Sequence, residues 1–349
     1  MFNFDSHIYD NLFNQMSKPL IVCVLLVIVV CVSCCKKEDS ILIGDSKFLD
    51  ALISSGIDRD GDGKINHKEA EGVKSLDISH KNISDLSGIE AFINLEQLNC
   101  SRCGLSSIDI SNNISLIYLD CSINSLTSLD VSHNGNLITL ECGNNSIGNI
   151  DISNNYSLVI LSCWRNGINT LNISNNKLLK NLNCSENNIT SLNVSSNEIL
   201  EILDCGFNKI ESLDLSNNRL LWWLRCYNNY LSELDLSVNT NLKELYCNDN
   251  HLTRLNISDN SALLYLWCQD NQLTSLNLIN NNVLKNLSCS NNKLSTLDIS
   301  HNTRLEWIDI KGMPTLYKVC VWVMPFPPSQ VLLYKSDSPN VYYSTECSK

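Results

Sequence analysis

The chain has 349 residues, 44% of them hydrophobic, and carries a formal net charge of −12 with a pI near 4.9. That acidity argues against nucleic acid, whose phosphates are met by surplus Lys and Arg. It leaves cations, glycans and basic protein patches as compatible partners.

Taken from the N-terminus, the first feature is Leu20–Val32, an apolar run of 13 residues preceded by Lys18. It is short for a membrane span and suits the apolar region of an export signal. Asp5 and Asp10 do not suit the start of such a signal, and translation from Met16 fits it better. The run ends in Ser33-Cys34-Cys35-Lys36-Lys37-Glu38-Asp39. Small residues leading into a cysteine and a polar tether resemble a bacterial lipoprotein signal, and the charged run resembles the surface-export tether of Bacteroidetes lipoproteins. The resemblance implies lipidation at Cys34, with Cys35 as the alternative, and a location on the outer face of the outer membrane. An uncleaved membrane anchor is the other reading.

Next comes Asp58-Arg59-Asp60-Gly61-Asp62-Gly63-Lys64-Ile65-Asn66-His67-Lys68-Glu69. Its spacing matches a 12-residue EF-hand loop, with hard oxygen ligands suited to calcium. Asp58, Asp60, Asp62, the Lys64 carbonyl, Asn66 and Glu69 are the expected ligands, with Ile65 turned into the core. A metal-free acidic turn is the alternative. Phe48, Leu49, Leu52 and Ile53 predict a helix before the loop, and Lys68–Lys74 a short one after it. A single loop suits a structural calcium site better than a paired calcium sensor or a dockerin.

From residue 73 the chain is repetitive. A first 22-residue unit resembles an internalin-type leucine-rich repeat. From Leu95 the period is 21 residues, marked by Cys100, Cys121, Cys142, Cys163, Cys184, Cys205, Cys226, Cys247, Cys268 and Cys289. Each coil reads LxxLxCxxNxLxxLDhSxNxx, where h is aliphatic. A fixed period of this length marks a solenoid of stacked coils. The pattern resembles the short leucine-rich repeats of the IRREKO class. Period-2 alternation around Leu119 and Cys121, repeated at Leu129 and Val131, predicts two short extended segments per coil. Two rows of asparagine predict amide bonds to turn backbone. The cysteines read as small, buried core residues. Disulfides between neighbouring coils are conceivable, but ten in-register thiols cannot all form unstrained bridges.

After residue 311 the period breaks into strand-like segments that resemble the terminal caps of bacterial leucine-rich-repeat proteins, with Cys320 and Cys347 placed to staple them. The expected organisation is an export signal over 1–33, a tether over 34–45, a calcium-binding cap over 46–72, repeats over 73–311 and a C-terminal cap over 312–349. The fold class is a β-rich repeat solenoid, expected as a monomer.

In leucine-rich repeats the outward positions of the main strand form the concave binding face. There Trp223, Arg225, Tyr227, Tyr246, Tyr265 and Trp267 fall on three consecutive coils, and aromatics with Arg dominate binding hot spots. Histidines are scattered and recur beside no nucleophile, so no enzyme is expected. The leading expectation is recognition of a protein ligand. Glycan capture, a purely architectural envelope role, and aromatic filling without a ligand are the alternatives.

Overall fold

The computed structural model describes residues 40–338 and 340–347. The export and lipidation features at Leu20–Val32 and Cys34 lie outside the described residues. Among the described residues no helix is long and apolar enough to cross a membrane.

Two short helices open the described chain: α1 (Ser46–Ser54) and α2 (His67–Glu71). Asp45 caps α1, its carboxylate accepting the N–H groups of Lys47 and Phe48 and so satisfying donors that a helix start leaves orphaned. The other oxygen of Asp45 accepts from the N–H (2.8 Å) and the hydroxyl (2.9 Å) of Ser84 in the first repeat. Although desolvation works the other way, these hydrogen bonds hold the carboxyl at about 2. Phe48, Leu52 and Ile65 are fully buried and continue the core of the first coil. The exit helix is shorter than expected because it starts at the cap Asn66 and stops at Gly72.

Each coil then contributes one three-residue strand. β1 is Ser75–Asp77, and β2 to β11 follow as Gln97–Asn99, Tyr118–Asp120, Thr139–Glu141, Ile160–Ser162, Asn181–Asn183, Ile202–Asp204, Trp223–Arg225, Glu244–Tyr246, Tyr265–Trp267 and Asn286–Ser288. β12 is Thr296–Asp298, β13 Trp307–Asp309, β14 Lys318–Cys320, β15 Leu332–Tyr334 and β16 Tyr342–Ser344. β1 to β11, β13 and β15 form one 13-stranded parallel sheet in that order. The pairing offset is 22 residues from β1 to β2 (Ser75↔Gln97) and 21 from β2 to β3 (Gln97↔Tyr118), as the repeat lengths require.

The interior repeats from coil to coil, with Ile78 and Ile310 in the cysteine place at the two ends. The strand leucine and the following cysteine are buried throughout, for example Leu119 and Cys121 or Leu266 and Cys268 at 0% exposure. Each buried leucine contributes roughly 1.5–3 kcal/mol. From Cys121 on, the asparagine after the cysteine ties two coils together: the Asn208 amide donates to the carbonyls of Cys184 and Cys205, and its oxygen accepts the Ile189 N–H. After Cys100 the place is taken by Cys103. A second row ties coils at the opposite turn through its amide N–H groups alone: Asn218 donates to the carbonyls of Val194 and Asn197, while its buried oxygen has no hydrogen-bond partner among the described residues.

The second extended segment becomes a strand only toward the C-terminal end, where β12 pairs with β14 and β14 with β16 in a three-stranded sheet. In this segment the Asp or Asn turns back on its own coil whether or not a strand forms: Asp130, Asp214 and, in β12, Asp298 accept the N–H of Ser132, Ser216 and Ser300, two residues on.

The residue after the cysteine and its outward neighbour adopts a left-handed conformation in coil after coil, including Ile123 (φ 56°) and Phe207 (φ 52°). Asn144, Asn228, Asp249, Asp270 and Asn291 suit that region, but Ile123 and Phe207 do not signal it. At the C-terminal end Met313, Leu316 and Val319 close the core, and a disulfide joins Cys320 to Cys347 with the Cα atoms 5.6 Å apart.

Candidate functional site

The cysteine ladder is chemically quiet. All ten ladder thiols, and Cys103 beside them, are free and buried. Burial pushes Cys163, Cys247 and Cys289 up to about 12, so at neutral pH the nucleophilic thiolate is absent. The histidines of the described residues are all exposed. His133 and His301 contact only the neighbouring serine hydroxyls, and His251 stacks on Tyr230.

In the acidic loop, ligand oxygens of Asp58, Asp60 and Glu69 lie within 4.8 Å of one another. Gly63 sits at φ 78°, a region that suits glycine. Glu69 is buried and held by backbone donors: Oε1 accepts the Arg59 N–H at 2.7 Å and Oε2 the Asn66 N–H at 3.0 Å. The Asn66 oxygen accepts the Glu69 N–H, completing a capping box at α2. Asp62 lies outside the close group and accepts the Lys64 N–H. The N–H of Asp62 favours the ionised form of Asp60, yet desolvation and the surrounding carboxylates of Asp62, Glu69 and Asp58 push its carboxyl up. Like charges crowded this closely are relieved by a cation.

On the outward face of the sheet, the predicted aromatic residues separate into two groups. Trp223, Arg225, Tyr246 and Trp267 come together. The Arg225 guanidinium lies 4.2 Å from the Trp223 ring centroid and 4.9 Å from that of Tyr246. Glu244 fastens the same two rings, accepting from Trp223 Nε1 at 2.8 Å and from the Tyr246 hydroxyl at 3.1 Å. Arg225 also faces the buried carboxylate of Asp204 at 3.7 Å, whose carboxyl burial pushes up despite the Gly206 N–H and Arg225.

From Trp223 the rings run on without a break. Tyr246 meets Trp267 at 5.4 Å between centroids, Trp267 stacks on Trp307 at 5.9 Å, and Trp307 meets Tyr334 at 5.8 Å. Trp267 and Trp307 sit on strands separated by β11, which presents only Asn286 and Ser288 outward. Those small side chains leave the gap over which Trp307 leans, and Ser288 is covered to 2% exposure.

Trp307, Tyr334 and Glu244 were therefore missed as members of the site. The contact skips a strand, and the one legible hint was the absence of bulk on β11.

Tyr227 and Tyr265 stand apart from this track. Tyr227 lies against Gly206, where a Cβ would collide with its ring, and meets Phe207 edge-on at 5.2 Å. Tyr265 makes no ring contact among the described residues.

A solenoid of parallel strands, with leucine and cysteine inside each coil, defines a leucine-rich-repeat protein. No protein-family model matches the chain, and no curated protein matches it. Among solved structures it is similar to the functional domain of InlJ from Listeria monocytogenes, described as including a cysteine ladder. That match is 30% identical with a TM-score of 0.78, covering 86% of this chain and 72% of that one. The internalin InlF of the same organism is 18% identical, with a TM-score of 0.72 and coverage of 88% and 96%. A leucine-rich-repeat protein of Leptospira interrogans is 20% identical, with a TM-score of 0.59 and coverage of 79% and 86%. The chain belongs to the leucine-rich-repeat proteins of internalin type.

Proposed function

We propose that this chain is a non-catalytic recognition protein, held at the outer surface of the cell by a lipid anchor at Cys34, that binds a protein ligand along the ring track of β8–β15. Its fold is a protein-binding repeat scaffold. The observation that carries the reading is the unbroken series Trp223–Tyr246–Trp267–Trp307–Tyr334 with Arg225 set among the first rings. Large aromatics and arginine concentrated at one place are the composition of a binding hot spot.

A protein ligand suits this track better than a stacked sugar. Trp267 and Trp307 turn a face to each other, with 19° between their planes, and Arg225 occupies the Trp223 face. Sugar stacking needs a free ring face; a protein side chain can also use ring edges and the guanidinium. The test is a pull-down of surface proteins by wild-type chain and by Trp223→Ala/Tyr246→Ala. The partner is lost from the variant if the reading holds, and its undiminished recovery refutes it. A glycan-array signal abolished by Trp267→Ala would favour sugar capture instead.

The acidic loop is proposed to hold calcium through Asp58, Asp60, Asp62, Asn66, Glu69 and the Lys64 carbonyl. Bound there, the ion would neutralise the crowded carboxylates and stiffen the junction with the first coil. A ligand that binds only the folded state adds about 2.7 kcal/mol at a hundred times its Kd. Chelator should lower the melting temperature of wild type and have no effect on Asp58→Asn/Glu69→Gln. A melting temperature indifferent to chelator removes the calcium reading.

A further inference from the structure

A second surface lies away from the ring track. At the turns leading into β2 to β6, and again into β8, the early coils carry exposed apolar side chains: Ile93, Ile114, Ile138, Tyr156, Leu178 and Leu220, each 43–59% exposed. The turn into β7 instead exposes Glu198. Coil contacts place them in sequence. The Ser115 hydroxyl donates to the Ile93 carbonyl, the Asn136 amide to the Ile114 carbonyl, and the Ile138 N–H to the Ile117 carbonyl. Beyond Leu220 the same turns read Thr240-Asn241, Ser261-Ala262, Asn282-Val283 and Thr303-Arg304. The apolar ridge is therefore confined to the first half of the solenoid. A repeat that tolerates polar residues at these turns has no folding need for aliphatic ones, and an exposed apolar row over the successive coils of β2 to β6 marks a contact surface.

The head of the ridge is where the described chain begins. Ser40, Ile41 and Leu42 share a hollow with Ala91 and Ile93, edged by His67, Glu71, Glu90 and Asn112, and Leu42 is 86% exposed. Six residues lead from Cys34 to Ser40, a reach of at most about 21 Å even when fully extended. The segment that we assign to the membrane thus arrives at the end of the ridge, whether it is lipidated at Cys34 or retained as an anchor. Charge beside the ridge is partly neutralised within the chain, as in the Lys180–Glu201 pair at 2.9 Å. An apolar surface suits it better than a highly charged partner.

We infer that this ridge is a lipid-contact surface: the early coils lie on the bilayer that holds the anchor, with Ile93, Ile114, Ile138, Tyr156, Leu178 and Leu220 against the acyl–headgroup boundary. The inference rests on the proposed membrane anchorage and goes beyond it, because an anchor alone leaves the solenoid free to stand upright. It also separates two tasks along one repeat. The membrane contact ends near Leu220, and the ring track begins at Trp223.

Neutron reflectometry of the full, membrane-anchored chain on a supported phosphatidylethanolamine/phosphatidylglycerol bilayer tests it. Thirteen strands at ~4.8 Å make a solenoid ~60 Å long. The wild type is expected as a layer well under that length. Ile93→Glu/Ile114→Glu/Leu178→Glu, checked by circular dichroism for an unchanged fold, should give a thicker layer approaching it. A wild-type layer as thick as the solenoid is long overturns the inference. So does a thin layer unchanged in the variant, or a dimer in detergent that the glutamates dissociate, which would assign the ridge to a second copy. Wild-type protein that washes off the bilayer refutes the anchorage itself and takes the inference with it.

Discussion

The coil around Cys121 and the coil around Cys268 are alike inside and unlike outside. Leu119 and Cys121 are as buried as Leu266 and Cys268, and Asn124 and Asn271 make the same amide bonds to the coil before. Outward, the first presents Tyr118 and Asp120, the second Tyr265 and Trp267. Asp120 and Glu141 are neighbours on the early strands, and burial followed by Asp120 pushes the Glu141 carboxyl up. On the later strands Arg225 and the rings take over. The repeat thus holds the interior constant while the outward positions diverge, and it is on that divergence that we place recognition.

The largest effect that can break this comparison lies in the shared interior. Leu224→Ala empties a fully buried site at the centre of the solenoid and should cost about 2–5 kcal/mol. Leu119→Ala, its equivalent in an early coil, should cost a similar amount. Denaturant titration of both reads this, and a several-fold disparity would show that the interiors are not equivalent.

A smaller effect should sharpen the contrast at the N-terminal junction. The Asp45 carboxyl lies at about 2, below the ordinary carboxylate value, so its contribution is present above pH 4 and is lost as the pH falls through about 2. Pepsin digestion across that window should open α1 near Phe48 while the coil cores stay resistant. Asp45→Asn should remove most of the pH dependence, and an α1 equally resistant at pH 2 and pH 4 would contradict it.

The smallest concerns the left-handed turn. Ile123 pays a steric penalty there that Asn144 and Asn228, at equivalent places, largely avoid. Ile123→Asn should stabilise by roughly 1 kcal/mol, measured by the same titration. A loss of stability would mean that the Ile123 side chain contributes more than its backbone costs.

The interior was legible because periodicity reports burial directly: Leu, Cys and Asn recur at places where one small or amide side chain fits. The two-segment coil was half legible, since alternation identifies an extended segment but not whether a neighbouring coil pairs with it, as happens at β12 and β14 and not around Asp130. The ring track was legible at Trp223, Arg225, Tyr246 and Trp267, which lie on neighbouring strands. It was not legible at Trp307, whose approach to Trp267 depends on side-chain direction over β11. Tyr227 was misgrouped for a related reason: position put it on the right coil, while the absence of a Cβ at Gly206 drew its ring elsewhere.

The most direct test measures the affinity of the recovered partner for two pairs of variants at equivalent strand positions. Trp223→Ala/Trp267→Ala, in the later coils, should weaken binding at least tenfold, as removal of hot-spot residues does. Tyr118→Ala/Ile160→Ala, in the early coils, should change it less than threefold. Equal losses from the two pairs, or a larger loss from the early one, would contradict the assignment of recognition to the ring track.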